Sequence, residues 1–314
     1  MQTPIRIGTR GSPLALAQTR LVIAALARTQ GWTPDEAAVR THIVTVRTSG
    51  DRIQDRPLAD LGGKGLFAKE LEEALLRNEI DCAVHSLKDM PTVLPDGLVL
   101  DCILPREDPR DALVCAIAGS IEALPPRARF ATGSVRRQAP VLNIRPDLQI
   151  LPLRGTVDTR LAKVASGEVD ATLLAVAGLK RLEKPASTAH ALPIATFLPA
   201  VAQGAIGVEA RAEDEGIARL LASINDPKSR REVTLERAFL TVLDGSCKTP
   251  IAGYARTTPE GRILFEGCAL SPDGRTRYDV TREADARDLA AAAAIGHAAG
   301  EELLARAGRA FFQV

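Results

Sequence analysis

Short apolar runs and helical apolar spacing take turns along most of this chain. "RIGT" (6–9) reads as a strand. Ser12 and Pro13 then supply an N-cap and a first-turn proline for a helix through about Thr29, with Gly31 as its stop. "HIVTV" (42–46) is strand-like, "LFAKELEEALLRN" (66–78) has helical periodicity, and "IDCAVHS" (80–86) is another apolar strand. Strands alternating with helices predict α/β units around a largely parallel sheet.

A second stretch repeats the first in outline. "RIGTRGSPLALAQ" from Arg6 and "RFATGSVRRQAPVL" from Arg129 share a strand, a threonine, Gly-Ser and a helix start. "NEIDCAVHSLKD" from Asn78 and "GEVDATLLAVAGLKR" from Gly167 share Glu-aliphatic-Asp followed by an apolar strand. The spacings differ, so the repeat is of architecture rather than of sequence, and it predicts two similar α/β domains. Beyond them, "DPKSRREVTLERAFLTVLDG" (226–245) reads as an amphipathic helix ending at glycine. Strands around "IAGYAR" and "RILFEGCAL" and the alanine-rich "DLAAAAAIGHAAGEELLARAG" follow, which predicts a small α+β third domain.

Composition narrows the function classes. With 314 residues, two or three domains are expected, and 46% hydrophobic with 25% charged residues is ordinary for a soluble protein. The first twenty residues carry Arg6, Arg10 and Arg20 among their apolar positions, unlike a signal peptide, and no uncharged apolar run is long enough to span a membrane. A cytoplasmic protein is expected. A net charge of +1 speaks against a general nucleic-acid binder. Five cysteines without a C-x-x-C pair and four histidines without H-E-x-x-H indicate neither a disulfide framework nor a metal site, so no metal is expected.

In open α/β sheets, ligands gather at the carboxyl ends of strands and at the helix starts that follow. Arg10, Ser12, Ser86, Lys88, Asp89, Thr132, Ser134, Arg136 and Arg137 fall there, joined by Arg154 and Arg160 in "LRGTVDTR" and by Lys180 and Arg181 in "AGLKRL". Arginine forks, hydroxyls and backbone N–H groups in such places suit carboxylates or phosphates, although any one arginine alone reads equally as a solvated surface residue. "LGGKGLFAKE" (61–70) lacks the Ser or Thr that a P-loop needs after its lysine; a glycine-rich lid with Lys64 and Phe67, or a plain strand-to-helix loop, remains. Cys82, Cys102, Cys115 and Cys268 sit in apolar strand-like runs as core filling. Cys247, in "LDGSCKTPI", stands in a loop beside Lys248, where a reactive thiolate and an incidental cysteine are both open readings. Asp89 reads either as a turn-capping aspartate before Met90-Pro91 or as the carboxylate of a reaction centre; His85 reads as a strand residue.

Taken together, "RIGTRGSPLALAQ", "GGKGLFAKELE", "DCAVHSLKDMP", "REDPRDAL", "GSVRRQ", "LRGTVDTRL", "AVAGLKRL", "LPAVAQGAIGVE" and "DGSCKTPIAG" resemble the porphobilinogen deaminase (hydroxymethylbilane synthase) family, in unbroken order over residues 5 to 255. The resemblance implies two type II periplasmic-binding-protein-like α/β domains around a cleft plus a small α+β C-terminal domain. In this chain these would be residues 1–104 with 205–224, then 105–204, then 225–314. It further implies a transferase that joins four porphobilinogen molecules head to tail into a linear tetrapyrrole and releases ammonia at each step. The reaction would be primed by a dipyrromethane cofactor held by a thioether to Cys247. On the same resemblance Asp89 is the catalytic carboxylate, which would stabilise the methylenepyrrolenine cation left by ammonia. Arg10, Ser12, Lys64, Ser86, Lys88, Thr132, Ser134, Arg136, Arg137, Arg154, Arg160 and Arg181 would hold cofactor and substrate carboxylates. Phe67 would belong to the lid, and Gln203 would stand in the cleft.

The expected partner is the small-molecule substrate, with no nucleic acid and no membrane. A monomer is expected, and the pathway context adds hand-over of product to the next enzyme. Asp60, Gly133, Ser246 and Lys248 depart from common family residues, which bears on loop order and elongation rate. Two other classes use a similar scaffold, a non-catalytic solute-binding protein and a regulator with an effector-binding half. Cys247 and Asp89 separate the deaminase from both.

Overall fold

The computed structural model describes residues 4–52, 65–184, 188–243 and 249–312. The first part of the chain runs β1 (Ile5–Arg10), α1 (Pro13–Gln30), α2 (Pro34–Arg40), β2 (Thr41–Val46), α3 (Ser49–Arg52), α4 (Lys69–Leu76), β3 (Cys82–Ser86) and β4 (Leu98–Ile103). The second runs β5 (Asp111–Cys115), β6 (Arg129–Ala131), α5 (Val135–Ile144), β7 (Gln149–Leu151), α6 (Val157–Ala165), β8 (Ala171–Ala175), α7 (Val176–Arg181) and β9 (Ala189–Ala191). The chain then continues through β10 (Ile206–Arg211), α8 (Glu215–Ala222), α9 (Pro227–Val242), β11 (Ile251–Thr257), β12 (Ile263–Leu270), β13 (Arg277–Ala284) and α10 (Leu289–Ala307).

Two five-stranded sheets have matching order, β2-β1-β3-β10-β4 and β7-β6-β8-β5-β9. In each, one strand is antiparallel: β10 runs against β3 and β4, and β5 runs against β8 and β9. The other strands are parallel, so the largely parallel sheet expected from alternation is observed, as is the α/β class. A third, antiparallel sheet β11-β12-β13 makes the small C-terminal α+β part. By contact density the chain divides into two compact units, residues 4–52, 65–107 and 205–230 in one and the remainder in the other.

The architectural repeat extends to atomic detail. In the first sheet the Arg6 backbone N–H donates to Asp81 Oδ2 at 2.7 Å, and its guanidinium grips the same carboxylate at 3.2 and 2.6 Å. In the second, Arg129 does the same to Asp170 at 2.7, 3.2 and 2.7 Å. The Asp81 and Asp170 amides return hydrogen bonds to the Arg6 and Arg129 carbonyls at 2.8 and 2.9 Å. Each clasp ties the start of a strand (β1 or β6) to the residue just before its parallel neighbour in the middle of the sheet (β3 or β8), fixing register where one slipped residue would turn every side chain over.

Each face of the first sheet packs on different helices. Cys82 and Val84 of β3 join Ile206, Val208 and Ala210 of β10 against Val22 and Leu26 of α1 and Ile217 and Leu221 of α8. Ala83 turns to the other face with Leu71 and Leu75 of α4. α1 begins as the sequence predicts: Ser12 Oγ accepts from the Ala15 N–H at 3.3 Å, and Gly31 closes the helix at φ 67°. In the second unit, Leu113, Phe130, Val141 and Leu173 are central to the core. The third sheet packs on α9 through the Phe239 and Phe265 rings, 4.9 Å apart at their centroids. Glu236 of α9 is fully buried, and its two oxygens accept the Ala202 and Ala255 amides at 2.6 and 2.8 Å, tying the segment before β10 to β11. Among the described residues no helix is long and apolar enough to cross a membrane.

Burial raises the Asp81 carboxyl, but the Arg6 hydrogen bonds and charge outweigh it and hold the group below the usual carboxylate range. The stability this contributes is present above the unfolded carboxyl's range and is lost as pH falls through the folded value. Asp81→Asn is expected to cost about 1–2 kcal/mol at neutral pH, discounted for solvent around Arg6, and almost nothing in acid below the folded carboxyl's range. Urea unfolding at both pH values checks this; equal losses at both would contradict it.

Candidate active site

Parallel pairing of β1 with β3 brings the carboxyl ends of both strands together. Around them lies a pocket lined by Arg10, Ser12 and Gln18 from the β1–α1 turn and α1, by Phe67, and by His85, Ser86, Asp89 and Met90. Ser12 is the N-cap of α1, where the helix dipole and the hydroxyl favour an anion. Ser86 ends β3. Its Oγ accepts from Gln18 Nε2 at 2.7 Å and lies 3.0 Å from Gln18 Oε1, so the helix amide fixes the hydroxyl. After Ser86 the chain makes a single 3₁₀ turn, Leu87–Asp89, pinned by the Leu87 amide donating to Ala205 at 3.1 Å. Leu87 and Met90 anchor the turn in the core, while Lys88 is half-buried and Asp89 is exposed at its tip. Asp89 lines the pocket.

Arg10 is held rigidly. Its Nη2 and Nε donate to the Asp51 carboxylate at 2.5 and 3.2 Å, and its guanidinium carbon lies 3.9 Å from the Phe67 ring centroid. Asp51 is itself fixed by the Thr48 hydroxyl at 2.8 Å. Burial raises the Asp51 carboxyl, yet Arg10 and Thr48 together lower it below its ordinary value. Phe67 reaches Arg10 only because residue 50 is glycine, since a Cβ there would stand 2.1 Å from a ring carbon.

The second unit carries its own cationic group. Thr132 is buried after β6, with its Oγ1 accepting the Ser134 amide at 3.1 Å; Ser134 is the α5 N-cap, and Arg136 and Arg137 follow in the first turn. Arg137 Nη2 donates to the buried Asp111 carboxylate at 2.7 Å. A Cβ at Gly133 would lie 2.7 Å from the Leu153 carbonyl oxygen, so any side chain there would need a shift of that loop. Arg154 precedes the α6 start, and Arg160 Nε donates to the Gly155 carbonyl at 3.1 Å. Arg181 ends α7 and donates to Gly204 at 2.6 Å; the buried Gln203 donates to Pro109 at 2.8 Å. Most predicted residues thus stand at strand ends and helix starts, whereas Arg181 stands at the end of a helix.

Lys64, Cys247, Asp60, Ser246 and Lys248 lie outside the described residues. Cys82, Cys102, Cys115 and Cys268 are buried, as expected of core filling; burial pushes the Cys102 and Cys268 thiols up to about 12, and raises Cys82 too. Among the described residues no cluster of His, Cys, Asp or Glu could hold a metal ion. Gln18, Asp51 and Asp111 were not singled out from sequence. Only Gln18 leaves a signal there, as a polar residue on the otherwise small and apolar core face of α1.

This donor set suits a ligand bearing several carboxylates, and comparison with known proteins agrees. A family model described as porphobilinogen deaminase, dipyromethane cofactor binding domain, matches residues 5–219, and one described as porphobilinogen deaminase, C-terminal domain, matches residues 230–305. Porphobilinogen deaminase of Nitrobacter winogradskyi is 52% identical over 98% of this chain and 94% of its own length. That of Paracoccus denitrificans is 50% identical over 99% and 97%, and the chloroplastic protein of Oryza sativa is 48% identical over 98% and 85%. The chain belongs to the porphobilinogen deaminase family, transferases of tetrapyrrole biosynthesis with a dipyrromethane cofactor-binding domain. The readings as a bare solute-binding protein or a regulator are thereby set aside.

Asp51→Asn keeps the shape of the Arg10 clamp and removes its charge. It is expected to cost about 1 kcal/mol of stability, since both partners are partly solvated, and to free the guanidinium from the Phe67 face. A crystal structure of the variant with Arg10 still stacked would contradict this.

Proposed function

We propose that this protein condenses four porphobilinogen molecules head to tail into hydroxymethylbilane, with Asp89 as the catalytic carboxylate and Cys247 as the anchor of the cofactor. The observation that carries the proposal is Asp89 at the tip of a rigid 3₁₀ turn, beside Arg10, Ser12 and Ser86 in one pocket. Bound dipyrromethane supplies the terminal pyrrole carbon to which the first substrate is joined.

The chain's own residues fit such a group, because its acetate and propionate arms are anions and the donors here are guanidinium forks, hydroxyls and helix-start amides. Arg10 holds a carboxylate with the N–H groups that Asp51 leaves over, while Ser12 and Ser86 orient it by hydrogen bonds. Lys88 and Lys64 add charge, and Phe67 covers the pocket. Thr132, Ser134, Arg136, Arg137, Arg154, Arg160 and Arg181 bind further carboxylates as the product lengthens, with Gln203 in the cleft. A guanidinium already pinned by Asp51 or Asp111 has less rotamer freedom to lose on binding than a free one.

Asp89 then meets the charge that the reaction creates. As ammonia leaves the substrate aminomethyl group, the remaining pyrrole becomes cationic, and the Asp89 carboxylate stabilises it at short range. The same carboxylate later accepts the proton released from the attacked pyrrole carbon. An exposed side chain on a buried turn can reach successive substrates without refolding its support. Residues 1–104 with 205–224, 105–204 and 225–314 serve as the three domains of a cytoplasmic monomer, from which the product passes to the next enzyme.

Asp89→Ala removes no core contact, so the variant is expected to fold normally and to consume porphobilinogen between about 10²- and 10³-fold more slowly. Steady-state turnover measured beside thermal unfolding checks both parts. Near-normal turnover would remove Asp89 from the chemistry.

A further inference from the structure

On the α4 face of the first sheet, three titratable side chains lie in the core without a part in the chemistry above. Glu209 of β10 is fully buried and stands opposite Ala83 in register, two residues along from the partner of His85. This diagonal places His85 Nε2 3.0 Å from Glu209 Oε2. Glu72 is also buried and points inward from α4 between Leu71 and Leu75. One oxygen of Glu72 and one of Glu209, Oε1 in both, are buried without a hydrogen-bond partner.

Among the described residues no lysine or arginine pairs with either carboxylate, and the one ring that meets Glu209 is His85. Arg211, two residues beyond Glu209, spends its guanidinium on the Leu75 and Ile80 carbonyls at 2.9 and 2.7 Å and on Asp214 at 2.9 Å. On α4, Lys69 lies 4.0 Å from Glu73 at the surface, and Glu70 accepts from Ser49 at 2.7 and 2.5 Å. Asp81, before β3, is taken by Arg6. Two ionised carboxylates here would be only acceptors, desolvated at the same helix–sheet interface and mutually repelling. A single proton supplies the missing donor and halves the charge.

We propose that Glu72 carries a proton shared with Glu209, and that this singly charged carboxyl pair anchors His85 and so positions the Ser86–Asp89 turn. Burial first, then the charge of Glu209 and of Glu73, push the Glu72 carboxyl up to about 7. Because the folded value is raised, the anchoring is complete in mildly acidic solution and is lost as pH rises through about 7. His85 is one residue from Ser86 and lines the pocket, so a change in the buried pair reaches the turn through a single peptide. Glu72, Glu209 and His85 are positioning residues, and their effect on the reaction rests on the role proposed for Asp89.

Infrared spectra of the holoenzyme across the pH range test the shared proton without reference to turnover. A neutral carboxyl band that titrates near neutrality is expected in the wild type, absent in Glu72→Gln, and moved down by about one pH unit in Glu209→Gln. In kinetics, Glu72→Gln cannot ionise, so its kcat relative to wild type is expected to rise about tenfold between about pH 6 and about pH 9, with the KM ratio flat. A band unaffected by Glu72→Gln, or a kcat ratio independent of pH, overturns the proposal. A failure of Asp89→Ala to slow turnover would instead strike the catalytic reading and leave the band where it is.

Discussion

The parallel pairing of β1 with β3 decides where the rest of the candidate site can stand. It sets the end of one strand, with Arg10 and the α1 cap, against the end of another, with Ser86 and the turn to Asp89. The pairing is short, two residue pairs in register, so it depends on the Arg6–Asp81 clasp at its other end. The same clasp recurs at Arg129–Asp170 in the second sheet, whose strand ends present Thr132 and Ser134. One local solution, used twice, therefore yields two anion-seeking strand ends from one chain.

Charge is organised around that frame in pairs. Arg10 and Arg137, each expected to meet ligand carboxylates, already hold Asp51 and Asp111. An unpartnered guanidinium at a partly buried position would lose solvation with little return, whereas a carboxylate on one edge fixes it and leaves further N–H groups on the other. The consequence is a site that attracts anions by geometry more than by net charge, which agrees with an overall charge of +1. Asp89 differs from these carboxylates in standing exposed at the end of a turn whose neighbours are buried. That contrast supports its assignment to a charge that exists only during reaction.

Local chemistry made much of the fold legible. The Ser12-Pro13 start and Gly31 stop of α1, the β3 run and the helix through Val242 follow from capping, proline and periodicity, each a property of a few neighbouring residues. The β10 strand, "IGVEAR", alternates Ile206, Val208 and Ala210 with glycine, glutamate and arginine, so its face turned to α4 reads as solvent although Glu209 is buried there. β13, "RYDVTREA", is charged at four of its eight positions and buries chiefly Val280. At the site, arginines and hydroxyls after apolar strands could be read, since strand ends collect ligands in this class of sheet. Their partners could not: Arg10 meets Asp51 from 41 residues away and Arg137 meets Asp111 from 26, distances that only the folded topology closes. The buried Glu72 and Glu209 were equally hidden, as each looks like an ordinary surface acid until the packing is known.

On the proposed function the dipyrromethane cofactor is anchored on Cys247, and the mass of the Cys247 peptide tests that most directly. Intact mass of the purified protein, followed by mass analysis of that peptide, is predicted to show an addition equal to two linked porphobilinogen-derived units on Cys247. An apo sample is predicted to gain the same addition on incubation with porphobilinogen. A Cys247 that stays unmodified after that incubation, or a dipyrrole found on another residue, would contradict the account.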